Sequence, residues 1–282
     1  MAEALTARRR GDRTRAERRS LTYVFRVLVV GYLLLLVAWP VGLVVRHTFE
    51  DGFDSLSRAL EDPVVVHALW LTVVVAVVSV VINLVFGVGI SLLLVRYRFP
   101  GRRILSALID LPLSVSPVVV GLSLVLVYGG RNGWFGPGLE DAGFQVIFAN
   151  PGIVMATVFV SLPLVIREVV PVLEEIGIEQ EQAARSLGAN ALQTFRRITL
   201  PSIRWAVVYG VVLSLARSLG EFGAVKIVGG NLINQTQTAT LVVEQKYQDF
   251  EQDTAYATSF LLAFASVVCI VIVSILRPKD AP

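Results

Sequence analysis

Arg217 and Glu221 stand four residues apart inside a long apolar run, a spacing that puts both on one helix face and lets them pair. Charges in such runs usually face a bundle interior or a water-filled path, so the pair reads either as a helix clamp or as a nearly neutral place for an ion to pass. Ser218 lies between them, and Ser114 and Ser116 precede Pro117 in an earlier run, where hydroxyls either pack helices or line a path. Asn83, Asp110, Ser161, Arg167, Glu168 and Ser214 fall in such runs as well; Asp110 reads as structural, while Arg167 and Glu168 lie near the end of theirs, where a long side chain reaches water.

Bond-making chemistry has little to work with. His47, His67 and Cys269 supply every imidazole and thiol, which excludes an internal disulfide and any Cys/His cluster with metal-site spacing. There is no G-x-S-x-G elbow for a nucleophilic serine. Lys226, Lys246 and Lys279 follow Val225, Gln245 and Pro278, so none belongs to a G-K-[ST] phosphate loop. No catalytic residue and no metal is expected, an integral-membrane enzyme is the poorest reading, and a transport role, alone or in a complex, is the better one.

The elements that must position these groups are membrane helices. The chain of 282 residues is 55% hydrophobic and 17% charged, with mean hydropathy +0.69, and it carries several runs near the roughly 20 residues that cross a bilayer. Spans are expected at Leu21–Val45, Val64–Val95, Ile104–Tyr128, Gly152–Val172, Ile203–Val228 and Tyr256–Leu276, an all-α integral membrane fold with six transmembrane helices. Residues 1–20 read as a basic tail and residues 21–282 as one membrane domain. The first run is too long for a signal-peptide core, so it is expected to remain as a span.

Arginine and lysine gather on one side: the tail, Arg96 to Arg103, Arg185 to Arg197, and Arg277 with Lys279. That side is expected to be the cytoplasm, with both termini on it, because short cytoplasmic loops hold basic residues in excess. The formal charge of +3 is thus a topology signal and not a nucleic-acid surface.

One cytoplasmic connection is unusually specific. In "EQAARSLGANALQTFRRITLPS", Glu181–Ser202, the stretch from Glu179 to Leu187 favours helix, with Ala183, Ala184 and Leu187 as a small apolar face. Gly188 is placed to end it in the left-handed conformation, Asn190 and Gln193 form a capping box for the next helix, and Pro201 falls near the start of the following span. Local physics allows an amphipathic elbow on lipid headgroups or a helix that docks into another protein.

The order Gln182-Ala183-Ala184, three residues, Gly188, nine residues, Ile198, one residue, Leu200-Pro201 resembles the "EAA" signature of ABC importer permeases, E-A-A-x3-G-x9-I-x-L-P. Gln182 stands where the signature has glutamate, and Glu181 precedes it. The resemblance implies a type I importer permease fold in which residues 175–201 form the coupling segment, with Glu181, Gln182, Ala183, Ala184, Leu187, Gly188, Ile198, Leu200 and Pro201 at the contact with a separate ATPase.

"LPLSVSPVVVGL", "VIREVVPV", "IRWAVVYGVVLSLARSLGEFGAV" and "TLVVEQKY" are similar to the sulfate/thiosulfate importer permeases, and among these to the W-type subunit. That likeness implies a T-type permease partner, two ATP-binding subunits holding ATP and magnesium, an extracytoplasmic sulfate-binding protein and a bacterial inner membrane. This chain would bind no cofactor itself. Ser114, Ser116, Arg217, Ser218 and Glu221 are the candidates for the translocation path, since a dianion favours arginine, hydroxyls and free N–H groups. Molybdate or tungstate is the alternative cargo.

Overall fold

The computed structural model describes residues 22–276, with side chains up to Val271; the basic tail and Arg277 and Lys279 lie outside the described residues. The first long helices are α1, Thr22–Thr48, and α3, Pro63–Arg96, with the short α2, Asp54–Glu61, between them. Asp62 starts α3 by accepting from the Val64 N–H at 2.9 Å, and Pro63 follows at a position where its missing N–H costs little. At 34 residues α3 is about 51 Å long, well more than an upright helix needs to cross the hydrocarbon core.

The expected span over Ile104–Tyr128 is not one helix. It is α4, Arg102–Ser114, and α5, Pro117–Tyr128, bent by 115° at the break. Pro117 supplies no N–H to continue α4 and pushes Ser116 into extended backbone, ψ 135°, with Val115 at ψ 139°.

After α6, Gly136–Asp141, comes α7, Asn150–Glu175, then α8, Glu179–Ser186, and α9, Ala191–Leu219. Here a second expectation fails, since the fifth span does not run from Ile203 to Val228. It begins earlier, inside the coupling segment, and stops at Leu219; the chain turns at Gly220 and resumes as the short α10, Gly223–Gly229. Pro201 is therefore inside a continuous helix and not at a free start. A π turn over Phe195–Thr199, in which the Leu200 N–H reaches back to Phe195, loosens the winding just before the proline. The last described elements are α11, Ala239–Gln248, and α12, Gln252–Leu276.

The centre of the bundle is α3, α7 and α9. Val165 of α7 is gripped from both sides: a Cβ added at Gly87 of α3 would lie 2.8 Å from its Cγ1, and one added at Gly210 of α9 would lie 2.8 Å from its Cα. Helices in lipid gain contact by letting backbones approach, and glycine permits it here. Val88, Val169, Leu173, Ile203 and Ala206 extend the same cluster toward α8. At the opposite end α10 packs against α5, and α11 is held to α3 by the Ala239 N–H on Thr72 Oγ1 at 2.9 Å. Among the described residues five helices are long and apolar enough to cross a membrane, and six crossings result when the bent α4–α5 pair counts as one.

Candidate functional site

The coupling segment is built from two caps back to back. The Ala189 N–H reaches Ala184 O and the Gly188 N–H reaches Arg185 O, both at 3.0 Å, which closes α8 as a Schellman motif around Gly188 at φ +88°. Asn190 Oδ1 then accepts from the Gln193 N–H at 2.8 Å while Gln193 Oε1 accepts from the Asn190 N–H at 2.9 Å. The turn between the helices is thus fixed by its own residues.

Its two faces differ. Gln182 and Ala183 are exposed, Ala184 is half-buried, Leu187 is 89% exposed, and Leu192, Arg185, Arg196 and Arg197 lie open beside them. Leucines and arginines uncovered on one turn make a surface suited to another protein with grooves and carboxylates. Ile198 is half-buried in the π turn, and Leu200 and Pro201 are exposed at its end. Glu181, just ahead of the signature, is the exception among the residues expected at the ATPase contact, because it is buried and points into its own chain. Its Oε1 accepts from Arg96 Nε at 3.2 Å and from Thr199 Oγ1 at 2.9 Å, and Arg96 Nη2 stands 3.1 Å away as an ion-pair contact. Sequence reading took Arg96 for a topology charge and missed this contact, which joins residues 85 positions apart.

The polar residues within the spans sort into three places. Asn83, Ser161, Ser214 and Ser218 meet where α3, α7 and α9 cross, with Asn83 Nδ2 donating to Ser161 Oγ at 2.7 Å and to Ser214 Oγ at 3.2 Å. Ser218, one of the path candidates, is buried there and donates to Ser214 O at 2.7 Å, so within this chain it packs helices instead of lining an opening. Arg217 and Glu221 do pair, at 2.6 Å, but unequally: the carboxylate side chain is 2% exposed and the guanidinium 37%. Glu221 also accepts the Ala224 N–H, at 3.3 Å, and its backbone carbonyl takes the hydroxyl of Thr240, which ties the α9–α10 break to α11.

Ser114 and Ser116 are exposed at the α4–α5 bend. One turn back from it, Asp110 and Arg167 form a cross-helix pair at 3.0 Å with both side chains about half open. Sequence treated these two separately. The three places share one property: each puts polar groups where a helix is broken or crossed closely.

At the end of the bundle away from α8, Lys246 of α11 bridges Asp62 at 2.9 Å and Glu251 at 2.7 Å. Burial pushes the Asp62 carboxyl up, but Lys246 and the N–H of Val64 outweigh it and hold the carboxyl below its ordinary value. Burial likewise works against the Lys246 charge, and Glu251 and Asp62 raise it regardless. Trp134, 83% exposed, caps a glycine-rich loop at the end of α5.

Comparison with known proteins agrees with this layout. The family of binding-protein-dependent transport system inner membrane components matches residues 83–278. A sulfate transport system permease protein CysW from Synechocystis is 45% identical over 257 residues, covering 91% of this chain and 93% of the relative. The Escherichia coli (strain K12) CysW is 41% identical over 89% of this chain and 85% of its own length, and the CysT of the same strain 36% over 88% and 89%. In architecture the chain is similar to a bacterial alginate ABC transporter solved in complex with an alginate pentasaccharide-bound periplasmic protein, with a TM-score of 0.77 over 91% of this chain and 93% of that one, at 17% identity.

Proposed function

The chain belongs to the family of binding-protein-dependent transport system inner membrane components, and from that premise we propose that it is the W-type transmembrane subunit of an ATP-driven sulfate/thiosulfate importer. The observation that carries the coupling role is the α8 turn, fixed within by its own caps and uncovered outside at Leu187 and Leu192. A separate ATP-binding subunit is the partner this surface fits, and ATP and magnesium belong to that subunit. The cargo follows from the relatives, which are more alike at the W-type than at the T-type level.

The working complex then pairs this chain with a T-type permease and two ATP-binding subunits in the inner membrane, with both termini cytoplasmic. An extracytoplasmic sulfate-binding protein delivers the anion. When ATP draws its two subunits together, α8 is displaced, α9 follows because it is continuous with the turn, and the bundle switches from inward-facing to outward-facing. Arg217 offers a partly open guanidinium backed by a sealed carboxylate, and Ser114 and Ser116 offer hydroxyls at the bend; these are the groups proposed to meet the anion on its way.

The test is reconstitution of the chain with a T-type permease, the ATP-binding subunit and a sulfate-binding protein in proteoliposomes, measuring uptake of radiolabelled sulfate with molybdate as competitor. Uptake that requires ATP and resists molybdate is expected. Uptake driven without ATP would overturn coupling, and uptake of molybdate or tungstate in place of sulfate would overturn the cargo.

A further inference from the structure

Glu181 belongs to the exposed coupling turn by sequence and to the interior by position. Successive residues on a helix are turned by about 100°, so Gln182 and Ala183 face outward while Glu181 faces the bundle. Its carboxylate pairs with the guanidinium of Arg96, the last residue of α3, through one hydrogen bond from Nε and a 3.1 Å charge contact from Nη2, and it accepts from Thr199 in the π turn of α9. Arg96 extends the network by donating through Nη1 to Leu173 O at 3.0 Å, in the final turns of α7, where helical partners run out. One guanidinium and one carboxylate therefore join α8 to the feet of the three helices that form the centre of the bundle. Both side chains of the pair are about nine-tenths covered, so water is a poor substitute partner for either charge.

We propose that Arg96 and Glu181 are positioning residues for energy coupling: the pair sets the angle of α8 against the ends of α3, α7 and α9, and delivers a displacement of α8 to all three as one movement. The proposal rests on the reading of α8 as the element that docks an ATP-binding subunit. It assigns to Glu181 a role inside this chain and leaves the docking contact itself to Gln182, Leu187 and their exposed neighbours.

The experiment uses the complete complex in proteoliposomes with the sulfate-binding protein, measuring in the same vesicles labelled sulfate taken up, ATP hydrolysed, and ATP-binding subunit retained on purification. Arg96→Gln, Glu181→Gln, their double variant and Thr199→Val are compared with the unaltered complex. Retention is expected to stay unchanged in all four. Sulfate moved per ATP falls about ten-fold in each charge variant, no further in the double, and roughly two-fold in Thr199→Val. Loss of the ATP-binding subunit from Glu181→Gln alone would make that residue a direct docking contact and overturn the proposal, as would additive losses in the double variant or a wild-type ratio in Arg96→Gln. Thr199→Val is nearly isosteric and leaves the ion pair intact, so it decides the matter where a charge variant fails to accumulate: unaltered coupling there also overturns the proposal. An unaltered complex that retains no ATP-binding subunit would instead refute the docking reading, and the role of the Arg96–Glu181 pair with it, before any variant is compared.

Discussion

Gly188 ends α8 with φ +88°, a conformation that costs an alanine about 1–2 kcal/mol. Because nothing lies within 4 Å of a Cβ built there, the penalty of Gly188→Ala is strain alone. The membrane bundle should stay intact while retention of the ATP-binding subunit weakens by roughly ten-fold, measured as the subunit ratio after co-purification. Arg217→Gln acts differently, since it leaves the sealed Glu221 carboxylate without its countercharge. It should lower the Tm of the complex, and adding Glu221→Gln should restore it. Sulfate uptake should remain down by about ten-fold in the double variant, because the guanidinium proposed to meet the anion is still missing; recovery of uptake would show that the pair only holds α9 in place. At this scale the cap residues Gly188, Asn190 and Gln193 were legible because their bonds close within a few positions. Glu181 was not, because what buries it is Arg96, far away in the chain.

Among the elements, α11 neither crosses the bundle nor lies free: Lys246 and Thr72 tie it to the start of α3. Asp62 titrates below its ordinary 3.8 in the folded chain, so its contribution to stability is complete above that value and is lost as pH falls through the lower folded one. Lys246 is raised above 10.5, so its share holds below 10.5 and is lost at still higher pH. Thermal unfolding in detergent should therefore show Asp62→Asn less stable than the unaltered chain by a constant margin from neutrality down to about pH 4, with the gap closing below. A gap that stayed open in stronger acid would show that the ion pair is not its source. The helices themselves were readable from runs of apolar residues, although the third was expected as one span and is broken at Pro117. The stop at Leu219 was not readable, because apolar residues resume after Glu221 and carry the run on to Val228, and what holds the break there is the anchoring of Glu221 to α10 and α11.

Seen whole, the molecule has a packed centre and an outlying arm. The apolar window of α1 is entirely uncovered, and only its last turns lean on α12, through His47 stacked on Tyr256 at 5.1 Å and Phe49 against Phe260 at 5.2 Å. The centre was legible in outline from span count and motif, while the path was not, since a path is made by which faces are left open after packing. The bend between α4 and α5 adds a dimension of time. With 13 and 12 residues, these helices reach only about 20 Å and 18 Å, each short of the hydrocarbon core, so neither spans the membrane alone. The piece that braces the bend is α10, whose Ala224 carbonyl would lie 2.9 Å from a Cβ at Gly121, and α10 is synthesised about a hundred residues later. Nascent chains halted at residue 219 and at residue 260, each carrying Ser116→Cys, should differ in labelling by a water-soluble maleimide. Until the ribosome has passed α10, the corner that holds Ser114 and Ser116 is braced by α7 alone, and this part of the protein acquires its final shape only once a much later stretch of chain has been made.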